Sequence, residues 1–94
     1  MKIAGLIWLY DIIEKIEQKH RVQQNEVREV LENRPKFRFV ENGNRSDEDV
    51  YAASGQTNGG RYLIIFFVHK KDDKAIILTA RDMTRAERKR YEEK

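Results

Sequence analysis

The stretch "RYLIIFFVH" constrains the fold more than any other part of the chain. Its run Tyr62–Val68 is apolar at successive positions, and both faces of a strand with that pattern must be covered, so it belongs at the centre of a sheet. "TNGG" precedes it and is a strong hairpin signal, because glycines accept the backbone angles that a tight turn between antiparallel strands demands. "KKDD" follows it as a second tight connection. The strand therefore takes "VYAASGQ" and "KAIILTAR" as antiparallel neighbours on its two sides.

The remaining elements attach to this centre. "KIAGLIWL" is short, apolar and partly β-rich, which predicts a first strand. From Tyr10 the period becomes helical: Ile12, Ile13 and Ile16 share one face, with Glu14, Lys15, Glu17 and Gln18 on the other, until "KHRV" breaks the stripe. Val27, Val30 and Leu31 predict a second helix over Asn25 to Glu32, ended by Asn33-Arg34-Pro35, because proline disfavours helix in the residue before it. "KFRFVEN" alternates, placing Phe37 and Phe39 inward and Lys36 and Arg38 outward. "ENGNRSDED" reads as a polar turn. Thr84 and Glu87 form a capping box that starts a terminal helix. The order is β-α-α-β-β-β-β-α, an α+β domain with an antiparallel sheet of four to five strands.

Composition narrows the chemistry. The 94 residues suit one domain spanning the chain. The absence of cysteine excludes disulfides, thiolate nucleophiles and Cys-rich zinc sites, and fits a reducing, cytoplasmic setting. The apolar run "IAGLIWLY" stops at Asp11, too short to span a bilayer, so the chain reads as soluble, unexported and full length, with no membrane partner. No phosphate-cradling glycine motif or nucleophile elbow occurs. His20 and His69 are the only histidines, and neither pairs with a carboxylate at helical ligand spacing, which leaves neither a metal site nor a cofactor to expect. The net charge of +3 is too small to imply nucleic acid. Local density is more telling: Arg81, Arg85, Arg88, Lys89 and Arg90 face only Asp82 and Glu87 between Arg81 and Arg90.

Each candidate residue also has a plain structural reading. Lys19 and His20 at a helix end complement the helix dipole. His69 closes a strand, Arg81 stands beside Asp82 as a surface ion pair, and Tyr91 anchors the last helix to the sheet.

Taken together, these segments resemble a family. "TARDMTRAERKRYEE" is similar to the C-terminal signature of BrnT-type toxins, in which an (S/T)-A-R strand end precedes a helix of pattern T-x-x-E-R-x-x-Y. "KHRV" is similar to their K-H-G-V region and "GRYLIIFFVH" to their central strand, so the likeness runs in order along nearly the whole chain. The resemblance implies a RelE-like fold and a ribonuclease toxin of a type II toxin–antitoxin pair. It implies inhibition of translation and growth, and a ribbon-helix-helix antitoxin in a two-plus-two complex. Three positions depart from the family: its glycine after K-H is Arg21 here, the arginine opening its R-I-I-S-A-R strand is Ile76, and an asparagine before the lysine is Ile16.

A metal-independent ribonuclease must take the 2′-hydroxyl proton, protonate the leaving 5′-oxygen and stabilise the charge that builds on phosphorus-bound oxygens. His20 and Tyr91 suit proton transfer, Lys19 and Arg81 suit charge stabilisation, and Arg61, His69, Arg85, Arg88 and Lys89 suit the flanking RNA backbone. Two readings from other classes stand beside the nuclease. One is a non-catalytic RNA- or antitoxin-binding module on the same scaffold. The other is a small structural domain whose cations serve only solvation.

Overall fold

The computed structural model describes residues 1–43 and 48–93. The elements run β1 (Gly5–Ile7), α1 (Tyr10–His20), α2 (Gln24–Glu32), β2 (Lys36–Glu41), β3 (Asp49–Gln56), β4 (Tyr62–His69), β5 (Lys74–Asp82) and α3 (Arg85–Glu92). This is the expected order of an α+β chain. Part of the expected polar turn after β2, at 44–47, lies outside the described residues.

One sheet holds all five strands in the order β1-β5-β4-β3-β2, with β4 in the middle as its two-faced apolar run requires. β2 through β5 are antiparallel neighbours. The sheet is nonetheless mixed, not antiparallel throughout, because β1 joins the far edge parallel to β5 through Gly5–Lys74, Leu6–Ala75 and Ile7–Ile76. A strand of three residues carries no pattern of its own to fix its direction; the helices between it and the rest of the sheet set where the chain returns.

The two faces of the sheet are covered unequally. On one side α1 and α2 lay Ile16, Val27 and Val30 over Leu63, Ile65 and Phe67 of β4, Ala53 of β3 and Ala75, Ile77 and Ala80 of β5, and all of these are fully buried. Val22, just after α1, seals the corner between the helices. Gly55 permits the close approach of α2, since a Cβ there would stand 3.1 Å from Val30 Cγ1. On the other side α3 reaches only one end of the strands. Tyr91 meets Tyr62 edge to face with ring centroids 6.0 Å apart, while Phe66 and Val68 further along β4 stay half-buried. The expectation that β4 is covered on both faces therefore holds for its first half alone. Phe39 departs too. It shares the inner face with Phe37 through its register with Tyr51, yet it is 49% exposed, because it sits on the edge strand and packs only edge-on against Tyr51 at 5.8 Å.

Candidate nucleic-acid interface

The turn before β4 sets the first arginine. Gly60 adopts φ +90°, its N–H bonds the Thr57 carbonyl at 3.0 Å, and the buried Thr57 hydroxyl accepts from the Arg61 amide at 3.0 Å. This turn points Arg61 toward the end of α1. There Lys19 and His20 occupy the last helical turn, and Arg21 ends the helix in the left-handed region at φ 53°. The Arg21 amide bonds Glu17 O at 3.0 Å and the Val22 amide bonds Ile16 O at 3.1 Å, which turns the chain back under α1.

Arg61 ties four pieces of chain together. Its Nε and Nη2 grip the two carboxylate oxygens of Asp82, the last residue of β5, at 2.7 and 3.0 Å. Nη2 also donates to the His20 carbonyl at 2.8 Å, and Nη1 to the Arg21 carbonyl at 2.7 Å and the Glu26 carboxylate at 3.2 Å. Glu26 in turn accepts from the Gln23 amide at 3.0 Å as half of the capping box of α2. Every N–H group of the guanidinium is thereby engaged. Hydrogen bonding from Arg61 holds the Asp82 carboxyl below its ordinary value, helped by the charges of Arg61 and His20.

Arg81 is held differently. It stands on the α3 side of the sheet, its guanidinium 5.6 Å from the Phe66 ring centroid. Nη1 and Nη2 donate end-on to Glu87 at 2.7 and 2.9 Å, and Nη1 reaches the Asp82 carbonyl at 3.1 Å. Its Nε makes no hydrogen bond among the described residues. The sequence reading that pairs Arg81 with Asp82 is corrected here, since Asp82 gives its carboxylate to Arg61 and Arg81 takes Glu87. Glu87 also closes the expected capping box, accepting from the Thr84 amide at 2.8 Å while its own amide donates to the Thr84 hydroxyl at 3.1 Å. The Arg81 fork, outweighing partial burial, lowers the Glu87 pKa to about 2.

A shallow, open groove of about 440 Å³ gathers Lys19, His20 and Arg21 against Arg61, Arg81 and Thr84. Four of the nine residues nominated from the sequence, Lys19, His20, Arg61 and Arg81, thus meet in one place. The others stand apart. Tyr91 is on α3 with its ring against Tyr62, and Lys36 lies over that ring at 5.1 Å while donating to the Tyr91 and Glu93 carbonyls. Arg85, Arg88 and Lys89 form the outer furrow of α3, where Arg88 lies 3.9 Å over the Tyr62 ring and pairs with Glu92 at 3.0 Å. His69 ends β4 at the opposite end of the sheet, roughly 25 Å from Arg61 at the usual rise per strand residue. Its Nε2 stands 3.1 Å from the Lys2 carbonyl and 3.4 Å from Asp73.

Sequence reasoning missed Glu26 as a partner of Arg61 and Lys36 as the clamp on α3, since both contacts join residues far apart in the chain. Among the described residues no three His, Asp or Glu side chains gather where they could hold a metal ion, and no helix is long and apolar enough to cross a membrane. No protein-family model matches the chain, and no curated protein matches it at a significant level.

Proposed function

We propose that the chain is a BrnT-like, RelE-like toxin that acts on RNA in the cytoplasm, with the groove of Lys19, His20 and Arg81 as its phosphate site. The observation that carries this reading is the meeting of "KHRV" and "TAR", from opposite ends of the sequence, at one surface. Among the described residues nothing takes the Nε–H and one Nη2–H of Arg81, which stand side by side and match two phosphate oxygens. Lys19 adds an exposed cation. His20 is the groove's single imidazole, a side chain that can both accept and donate a proton. In cleavage it takes the 2′-hydroxyl proton as the 2′-oxygen bonds to phosphorus, while the phosphorus–5′-oxygen bond breaks and solvent water protonates the departing 5′-oxygen on the opposite side. The left-handed backbone of Arg21 also favours the reading, for it falls where the family carries glycine.

The non-catalytic RNA-binding module has an observation of its own in its favour. Tyr91 is committed to the sheet by Tyr62 and Lys36, which leaves His20 without the tyrosine nominated beside it for proton transfer. In either form the partner is an antitoxin of ribbon-helix-helix type in a two-plus-two complex, covering the cations with acidic and apolar groups. Purified protein incubated with single-stranded RNA without added metal separates the two. The nuclease produces 2′,3′-cyclic phosphate ends and His20→Ala abolishes them; the module binds RNA and leaves it whole. RNA that is neither bound nor cut overturns both.

A further inference from the structure

We infer that Arg61 is a positioning residue, not an RNA contact, and that its grip on the end of α1 fixes Lys19 and His20 relative to Arg81. The inference rests on the RNA reading of the groove and sharpens it by removing one arginine from the binding surface. Its ground is the accounting of donors. Nε and Nη2 are spent on Asp82, Nη2 on the His20 carbonyl, and Nη1 on the Arg21 carbonyl and Glu26, so a phosphate could bind Arg61 only by breaking contacts of 2.7 to 3.2 Å. The acceptors name what is being positioned. Two are the carbonyls of the residues that end α1, one is the first turn of α2, and one is the residue next to Arg81 on β5. Helix ends fray because their last carbonyls lack partners within the helix, and a guanidinium that takes two of them fixes the turn. Lys19 and His20 ride on that turn; Arg81 rides on the strand that Asp82 ends. One side chain thus sets the spacing across the groove.

Two carbonyls and two carboxylates at separate places need a planar fork. Lysine retains the charge but offers three donors from one atom, and cannot reach all four. Arg61→Lys therefore keeps the charge and the fold while releasing the turn, whereas Arg61→Ala removes the charge as well.

The test has two arms. In the first, amide hydrogen exchange of Arg21 and Val22 is followed in wild type and Arg61→Lys; loosening of the turn predicts exchange faster by about tenfold there, with the Ile65 and Ile77 amides unchanged. Unchanged exchange at Arg21 and Val22 overturns the inference whatever the protein binds. In the second, affinity for a short single-stranded RNA is measured for Lys19→Ala, Arg61→Lys and the double variant. Positioning predicts non-additivity: Lys19→Ala weakens binding several-fold in wild type and by little in the Arg61→Lys background. Additive losses would mark Arg61 as an independent contact and contradict the inference, as would wild-type affinity in Arg61→Lys. If wild type binds no RNA, the functional reading fails by itself, and the exchange arm alone decides whether Arg61 holds the turn.

Discussion

Arg61 and Arg81 flank the same groove and do opposite work. Arg61 grips Asp82 side-on and fills its remaining donors with Glu26 and two backbone carbonyls, so it is used up as a fastener. Arg81 grips Glu87 end-on and, among the described residues, keeps its Nε edge unspent. The difference shows why counting cations on a surface overstates what that surface offers a phosphate. A guanidinium already ringed by carboxylates and carbonyls adds little field and no donors, while one anchored at a single end is both oriented and available. Glu87 offsets the charge of Arg81 and also fixes its direction, which lowers the entropy lost when an anion docks.

The contrast should appear first in stability. Arg61→Ala strips partners from Asp82, Glu26 and two carbonyls, and urea unfolding is expected to show a loss of about 2–4 kcal/mol at constant slope. Equal losses for Arg61→Ala and Arg81→Ala would erase the distinction. Arg81→Ala should instead be read in binding, with affinity for single-stranded RNA falling by about tenfold, the size of one charge-assisted fork. Acid unfolding sharpens the account of Glu87. Its pKa falls from the ordinary 4.5 to about 2 in the folded chain. Between those values the unfolded state binds more protons, so the contribution of Glu87 is full above pH 4.5 and is lost as pH drops toward 2. Glu87→Gln should flatten that part of the stability curve, and an unchanged curve would show that the Arg81 contact is not held in solution. The smallest effect is expected at Arg21. Its φ of 53° costs an L-residue more than glycine, so Arg21→Gly should raise stability by about 0.5–1 kcal/mol while leaving the carbonyl that Arg61 uses in place.

The centre of the sheet was legible because Tyr62–Val68 is apolar at every position and is bounded by turn signals on both sides, which fixes its place and its antiparallel neighbours at once. The capping box at Thr84 and Glu87 was legible because it is local chemistry over four residues. The parallel pairing of β1 was not, since strand direction is a property of the partner, and neither was the half-open second face, which depends on how far the eight residues of α3 reach across the strands. At the groove, Lys19, His20 and Arg81 could be nominated from their motifs. The commitments of Arg61 could not, because each of its acceptors lies 21 or more positions away in the chain. Tyr91 shares its helix with the cations, but ring packing on Tyr62 holds it against the sheet, and it does not line the groove of His20.

The salt dependence of RNA affinity tests the proposed phosphate groove most directly. Each phosphate neutralised on a single strand contributes about −0.7 to the slope of log K against log salt, so a groove with a handful of contacts predicts about −2 to −4 for the wild type. Arg81→Ala should make that slope shallower by about 0.7, and Arg61→Lys, which keeps its charge, should not owe any change to a lost contact of its own. A flat wild-type response, or a slope that Arg81→Ala leaves untouched, would contradict the account.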